Sequence, residues 1–342
     1  MGRVLDELSR EGRRIDLVTS RGGVLDSLKE NTGVRVYHYN YRFSQSRFGT
    51  AIRYAWVQLY TFIFAFRYLF KRNVVFYINT LLPAGPALAG RIMGKRVVYH
   101  YHENAFAKGR IYKILAWTMQ RLASQIICVS EYQYRFLKRK NKGCVVPNAL
   151  PPSFCDAFEG AKGRNLPDDK IVLMPSSLKR YKGPAEFVEL ARRLPHYRFW
   201  WVANDSREHI DAFLAEMPAE MPENLTVFER QKNLVPFYRQ AALVVNLSDK
   251  TKFVETFGLT ALEAMTAGLP VIVPTVGGIA ELVENGVNGY RIDAQDLDAI
   301  DRRIDRILSD EELYRRLSFQ ARQKARQYSS RETAGKISRL LE

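Results

Sequence analysis

Cysteine is scarce in this 342-residue chain: there are three, none in a Cys-x-x-Cys pair. That excludes a disulfide framework and fits a reducing compartment with inert thiols. No His/Cys cluster has zinc-ligand spacing. Neither Gly-x-Gly-x-x-Gly nor Gly-x4-Gly-Lys-Ser/Thr occurs, which removes the signatures of dehydrogenases and P-loop nucleotidases. Repeats, coiled-coil heptads and low-complexity tracts are absent as well. The aromatic stretch RYAWVQLYTFIFAFRYLFKR (53–72) has an uncharged core of only 13 residues, Tyr54 to Phe66. A membrane span needs roughly 20 apolar residues, so this stretch is read as a core helix or as an amphipathic helix lying on a membrane. Met1 is followed by a polar, charged segment and not by an apolar leader, so the chain is expected in the cytoplasm.

Acidic residues are sparse in one half only. Residues 1–150 hold 25 Lys and Arg against 8 Asp and Glu, a net charge of +17, whereas the remainder holds 27 against 28. All of the overall +16 therefore lies in the first half. Such a one-sided surplus points to an anionic partner: nucleic acid, anionic lipid headgroups or a phosphorylated substrate.

Hydrophobic residues make up 46% of the chain, enough for packed cores, and the length suits two domains. Short strands are expected at 14–20 and 34–40. Near-continuous apolar runs follow at 74–79, 96–104, 124–130 and 144–148, as in strands buried on both faces. Helical patterns at 112–123 and 131–140 lie between them. Strands alternating with helices imply a parallel α/β sheet. The stretch 148–170, with three prolines and two glycines, reads as a linker. A second strand–helix series then runs from 171 to 293 and leads into a polar helical C-terminus.

The richest segment is ETFGLTALEAMTAGLPVIVPTVGGIAELVENGVNGY (255–290). Glu255 follows the strand LVVNLS and so should lie at the carboxyl rim of the sheet, where open parallel sheets bind ligands. A helix starting near Phe257 would aim the free amides of Phe257, Gly258 and Leu259 at that rim, a ready site for phosphate. Glu263 lies roughly 7 to 8 Å along the helix from Gly258. That is the separation of a diphosphate from a ribose, whose hydroxyls suit a carboxylate. Glu255, on the other side, would meet the hydroxyls of a sugar beyond the diphosphate. The spacing points to a nucleotide-diphospho-sugar, with two solvated helix carboxylates as the bland alternative.

This block resembles the Glu-x7-Glu signature and the following Gly-Gly turn of the retaining GT-B glycosyltransferases of family 4. LKRYKG (178–183), VSEYQYRFL (129–137), VPNALPPSF (146–154) and FYRQAALVVNLS (237–248) extend the likeness over nearly the whole chain. The resemblance implies two Rossmann-like α/β domains facing a cleft. Residues 1–150 would bind the acceptor and 151–320 the nucleotide-sugar, and a last helix within 321–342 would return to the first domain. It implies that Lys182 lies against the donor diphosphate, Glu255 faces the donor sugar and Glu263 holds the ribose. Amides from Phe257 to Thr260 would hold phosphate and sugar. Where the family places an Arg, this chain has Ser177, and Lys179 or Arg180 is expected to supply the charge. At the end of HYHEN (100–104), His102 would sit near the donor sugar, while Glu103 would orient it or touch acceptor. Asp296 and Asp298 form an Asp-x-Asp that reads as a helix cap, so transfer without a metal is expected.

The family pattern opens with a strand and a Gly-rich loop before the first helix. Here the chain begins inside what reads as that helix, so the first domain is expected to lack its first strand and to expose two strand edges. The expected reaction is retaining sugar transfer from a UDP- or GDP-sugar to a lipid-linked or polysaccharide acceptor, with the basic domain peripheral on anionic membrane. A soluble acceptor is the alternative within the family. A nucleic-acid-binding protein is the alternative outside it, disfavoured because no such motif occurs and the glutamates would repel a phosphate backbone.

Overall fold

The structure, a computed structural model, describes residues 2–21, 33–41, 46–104, 109–160, 163–217 and 220–342. Two units divide the chain: Met1–Pro147 with Arg331–Glu342, and Asn148–Ser330. The final crossing thus falls at residue 331, ten residues later than expected. Helix contacts explain the shift. Ser318 donates to the Gly268 carbonyl at 2.7 Å and Arg322 to that of Thr266 at 3.1 Å, so these residues stay with the second unit.

In the first unit, α1 (Gly2–Arg10) precedes β1 (Ile15–Ser20), and β2 (Val34–Tyr39) follows. Next come α2 (Arg47–Ala65), β3 (Val75–Asn79), α3 (Ala84–Ile92), β4 (Arg96–Tyr101), α4 (Arg110–Leu122), β5 (Gln125–Cys128), α5 (Glu131–Arg135) and β6 (Gly143–Val145). All pairings are parallel and lie in two sheets, β1-β2 and β3-β4-β5-β6. Among the described strands β1 pairs only with β2 and β3 only with β4.

Strand β4 reads as a continuous apolar run because both of its faces are covered. Val97, Tyr99 and Tyr101 join Ala87, Ala116 and Met119 in one cluster. Val98, on the opposite face, packs with Val4, Leu8, Ile337 and Leu341. The terminal helix α14 (Ser330–Leu340) is thereby held on the first unit, where Arg13 also donates to the Ser338 carbonyl at 3.3 Å.

The second unit contains α6 (Pro152–Asp156), β7 (Ile171–Ser176), α7 (Pro184–Arg193), β8 (Arg198–Ala203), α8 (Arg207–Ala215), β9 (Leu225–Phe228) and α9 (Val235–Gln240). These lead into β10 (Ala241–Val245), α10 (Leu259–Thr266), β11 (Val271–Val273), α11 (Gly278–Glu281), β12 (Gly289–Arg291), α12 (Leu297–Ser309) and α13 (Glu311–Ala325). Its six strands are ordered β12-β11-β10-β7-β8-β9, all parallel. Strand order reverses between β7 and β10, which creates a switch point at their carboxyl ends.

The expected linker 148–170 belongs to this unit and is not a free tether. Arginine side chains satisfy its irregular backbone: Arg239 donates to the Ala157 carbonyl at 2.9 Å, and Arg322 bonds that of Phe158. Asp296 caps α12 by accepting from the Ala299 amide at 3.0 Å, as its sequence context suggested.

Candidate functional site

A cavity of about 410 Å³ opens at the switch point of the second unit. Its walls are the ends of β7 (Ser176, Ser177), β8 (Asn204) and β10 (Asn246, Ser248), with Lys182, Glu255, Thr260 and Glu263. The three expected charged groups therefore share one cavity. Lys182 is ion-paired to Glu255, and the two side chains are only 17% and 18% exposed. The Lys182 ammonium also lies 4.1 Å from the Phe253 ring centre, and that ring stacks on Tyr181 at 4.9 Å. Ser248 donates to the same Glu255 oxygen at 3.4 Å.

Local backbone geometry explains how two loops hold this pair. Gly183, which follows Lys182, has φ +82°, and a Cβ there would lie 2.3 Å from that of Leu247. Only glycine lets the Lys182 turn close down on the end of β10. The amide of Asp249 donates to the Tyr181 carbonyl at 2.9 Å and ties the two loops together. Behind Glu255, Gly278 donates to its carbonyl at 2.8 Å, and a Cβ on Gly277, at φ +109°, would lie 2.5 Å from that oxygen. The Gly-Gly turn is thus a brace for Glu255.

Gly258, at φ +94°, caps the N-terminus of α10. The Phe257 side chain is buried against Tyr328, at 5.8 Å between ring centres, so its backbone amide is what it can offer a ligand. Leu259 begins the helix with its side chain half exposed.

Glu263, one turn into α10, accepts a hydrogen bond from the Tyr238 hydroxyl at 2.7 Å. Burial holds the Glu263 carboxyl above the ordinary carboxylate range, while the Tyr238 bond pulls it the other way. Burial likewise pushes the Tyr238 phenol far up, so it remains a donor. Tyr238 engages Oε2 of Glu263 and so fixes the carboxylate's orientation.

Lys179 and Arg180 do not line the cavity. Arg180 is paired to Glu216 at 2.9 Å on the exposed surface, and Lys179 is exposed. Consecutive residues of this tight turn point in different directions, so Lys182 alone among the three faces inward. Ser177 does line the cavity, where the family pattern has its Arg.

In the first unit, His102 bonds the Asn79 side chain at 2.9 Å, and its ring lies 4.2 Å from that of His100 between centres, tilted by 34°. Burial lowers the His102 imidazole to about 4, so it is neutral at pH 7. His100 is held by the Tyr77 hydroxyl at 2.7 Å. Glu103 accepts from the Leu81 amide at 3.0 Å and the His102 amide at 3.3 Å. Its carboxylate staples the loop after β3 to the loop after β4, a structural task that sequence reasoning did not assign to it.

Family models match both units: "Glycosyltransferase Family 4" over residues 2–154 and "Glycosyl transferases group 1" over 158–324. The chain belongs to the family 4 glycosyltransferases. A curated relative, the N-acetyl-alpha-D-glucosaminyl L-malate synthase of Bacillus anthracis, is 36% identical over 94 residues. That match covers 28% of this glycosyltransferase and 24% of the relative, so the chain spans about a quarter of that relative's length. Among solved structures, a Rickettsia africae glycosyltransferase superposes with a TM-score of 0.76 at 19% identity, over 99% of this chain and 92% of that one. Anabaena HepE in complex with UDP-glucose gives 0.75 at 18% identity, over 99% and 95%. These likenesses establish the GT-B fold of this glycosyltransferase, two Rossmann-like domains with parallel sheets.

Three contributors to the site were not read from the sequence. Tyr238 sits in an ordinary-looking VPFYRQ segment, and Phe253 and Ser248 lie in a loop whose chemistry is polar and unremarked. Tyr238 and Phe253 act through long-range contacts that no local pattern carries, and Ser248 meets Glu255 across the loop after β10.

Proposed function

We propose that this glycosyltransferase moves a sugar from a UDP- or GDP-sugar to a lipid-linked or polysaccharide glycan at an anionic membrane surface, retaining the anomeric configuration. The observation that carries the reading is the placement of Lys182, Glu255 and Glu263 around one cavity at the strand switch point. A UDP-glucose complex of a fold relative supports the donor class.

In the resting state Lys182 and Glu255 neutralise each other. An incoming diphosphate competes for the ammonium, so Lys182 turns to the phosphate and Glu255 is released to accept sugar hydroxyls. Lys182 and the amides of Phe257 to Thr260 then oppose the negative charge that builds on the departing diphosphate. A leaving phosphate oxygen takes the acceptor proton as the acceptor oxygen bonds the anomeric carbon on the same face. Glu263, oriented by Tyr238, accepts from the ribose. Glu255 positions the sugar without forming a covalent bond to it. His102, neutral at pH 7, is assigned as a hydrogen-bonding group for sugar hydroxyls. Positive charge and helix amides do the work of a cation here, so turnover should be unchanged in EDTA.

The membrane part of the reading is supported by the +17 surplus of residues 1–150. The site part is tested by thermal stabilisation with UDP-, GDP- and ADP-sugars. A true donor at 100 times its Kd should add about 2.7 kcal/mol. The double variant Glu255→Gln, Glu263→Gln should lose this response together with turnover; unchanged affinity and turnover would refute the reading.

A further inference from the structure

The outer helical face of the first unit carries apolar side chains that the fold does not bury. On α2, Phe48, Ile52, Trp56, Leu59 and Ile63 are each more than half exposed. At 100° per residue they fall within an arc of about 80°, so they form one row along the helix. Thr61 and Ala65 occupy the buried side of α2. The sequence expectation of a core helix therefore holds for one face only, and the other face is apolar and exposed, with no covering element among the described residues.

Helix α3 packs between α2 and α4. Its approach to α2 is tight: the Gly85 amide donates to the Gln58 side chain at 2.8 Å, and a Cβ on Gly85 would lie 2.2 Å from the Gln58 carbonyl oxygen. Exposed Leu88 and Ile92 continue the apolar surface on α3. On α4, Ile111, Ile114 and Trp117 are exposed, while Ala116 and Met119 face the core. The guanidinium of Arg121 lies 5.0 Å from the Trp117 ring centre.

Charge decides what could cover such a surface. Between Asn31 and Ser130 there are fourteen Lys or Arg and one acidic residue, Glu103. That carboxylate is engaged with the backbone amides of Leu81 and His102. Helices α2, α3 and α4 contain no acid at all. Exposed apolar rows with indole rings and a purely cationic charge pattern match the boundary between headgroups and acyl chains of an anionic leaflet. Nucleic acid would use the charge but leave the aliphatic rows in water.

We infer that the exposed rows of α2, α3 and α4 form a docking platform that inserts into the surface of an anionic bilayer, with Trp56 and Trp117 at acyl-chain depth. The inference deepens the reading of a membrane-bound acceptor and rests on it only for the choice of target. Donor binding belongs to the other unit and is read separately.

The four tryptophans make the test direct. Trp200 and Trp201 are buried in the second unit, and Trp56 and Trp117 are the exposed pair. Full-length protein should bind vesicles containing phosphatidylglycerol at low salt, and its fluorescence should be quenched by phosphatidylglycerol brominated on the acyl chains. The double variant Trp56→Phe, Trp117→Phe should stay bound and lose the quenching. The double variant Ile63→Glu, Ile114→Glu should lower vesicle partitioning on the order of tenfold, while UDP-glucose still raises its Tm. If no UDP- or GDP-sugar stabilises either this variant or the wild type, the donor reading fails and the lipid result stands by itself. Retention on vesicles without quenching of the exposed pair would overturn the proposal, as would no retention at all. Self-association abolished by the Glu variant, with no lipid binding, would assign the face to a second copy of the chain and also overturn it.

Discussion

Lys182 and Glu255, 73 residues apart in sequence, meet as an ion pair with both side chains more than four-fifths buried. Opposite charges so placed are worth more as a pair than either is alone. Removing one partner leaves the other poorly solvated.

Lys182→Met and Glu255→Gln should therefore each destabilise the free protein by about 2 kcal/mol. The double variant should recover much of that loss, giving a favourable coupling in a double-mutant cycle followed by urea unfolding. Turnover should not recover: Lys182→Met should lower kcat on the order of a hundredfold in either background. Additive stability losses would show that the pair does not interact.

The raised pKa of Glu263 makes a pH prediction with a definite sign. A folded-state value above the unfolded one favours the protonated native form. That contribution is complete below the unfolded value near 4.5 and is lost as pH rises through the folded value. Glu263→Gln removes the cost of the buried charge, so its Tm should rise relative to wild type as pH increases. Donor affinity of the wild type should increase over the same window, since the ribose needs the carboxylate, and should stay flat in the variant. Calorimetric titration with UDP-glucose across pH checks both curves.

Tyr238→Phe removes the hydrogen bond that opposes the burial effect on Glu263. The donor-affinity profile should move further toward alkaline pH, with a stability loss of about 1–3 kcal/mol at neutral pH. An unshifted profile would mean that Tyr238 acts by packing alone.

Gly277→Ala should cost about 3 kcal/mol and abolish donor binding, because φ is +109° and the new Cβ meets the Glu255 carbonyl at 2.5 Å. Gly268→Ala is the control: its φ is +76°, but the nearest atom is 3.5 Å away, so a cost of about 1 kcal/mol is expected. Equal losses in denaturant titrations would show that backbone conformation, and not the brace behind Glu255, dominates.

His102 carries the opposite sign. Its folded value of about 4 lies below 6.5, so the stability it contributes is present above pH 6.5 and lost as pH falls toward 4. That difference corresponds to roughly 3 kcal/mol. His102→Gln should flatten the acid limb of a stability–pH curve by about one proton.

Helix α3 shows where reading along the chain fails. Pro83, Gly85, Pro86 and Gly90 all argue against a helix locally, yet Gly85 is what allows α3 to approach α2 so closely. Packing overrode propensity there. Lys179, Arg180 and Lys182 show the same limit at the site, since composition marks a basic turn and only the turn geometry selects the inward residue. The strands were legible because parallel sheets covered on both faces leave unbroken apolar runs, as in β4.

By itself the sequence determined the α/β alternation, the division into a basic and a neutral half, the family, and the spacing of Glu255 and Glu263. Each of these is a matter of order along one chain, and local periodicity or a short motif records it. Tertiary structure alone decided that Lys182 neutralises Glu255, that Tyr238 steers Glu263, and that the apolar rows of α2 and α4 face outward. Those outcomes depend on which distant segments the closing fold brings within a few ångströms of each other, and no local pattern encodes that distance.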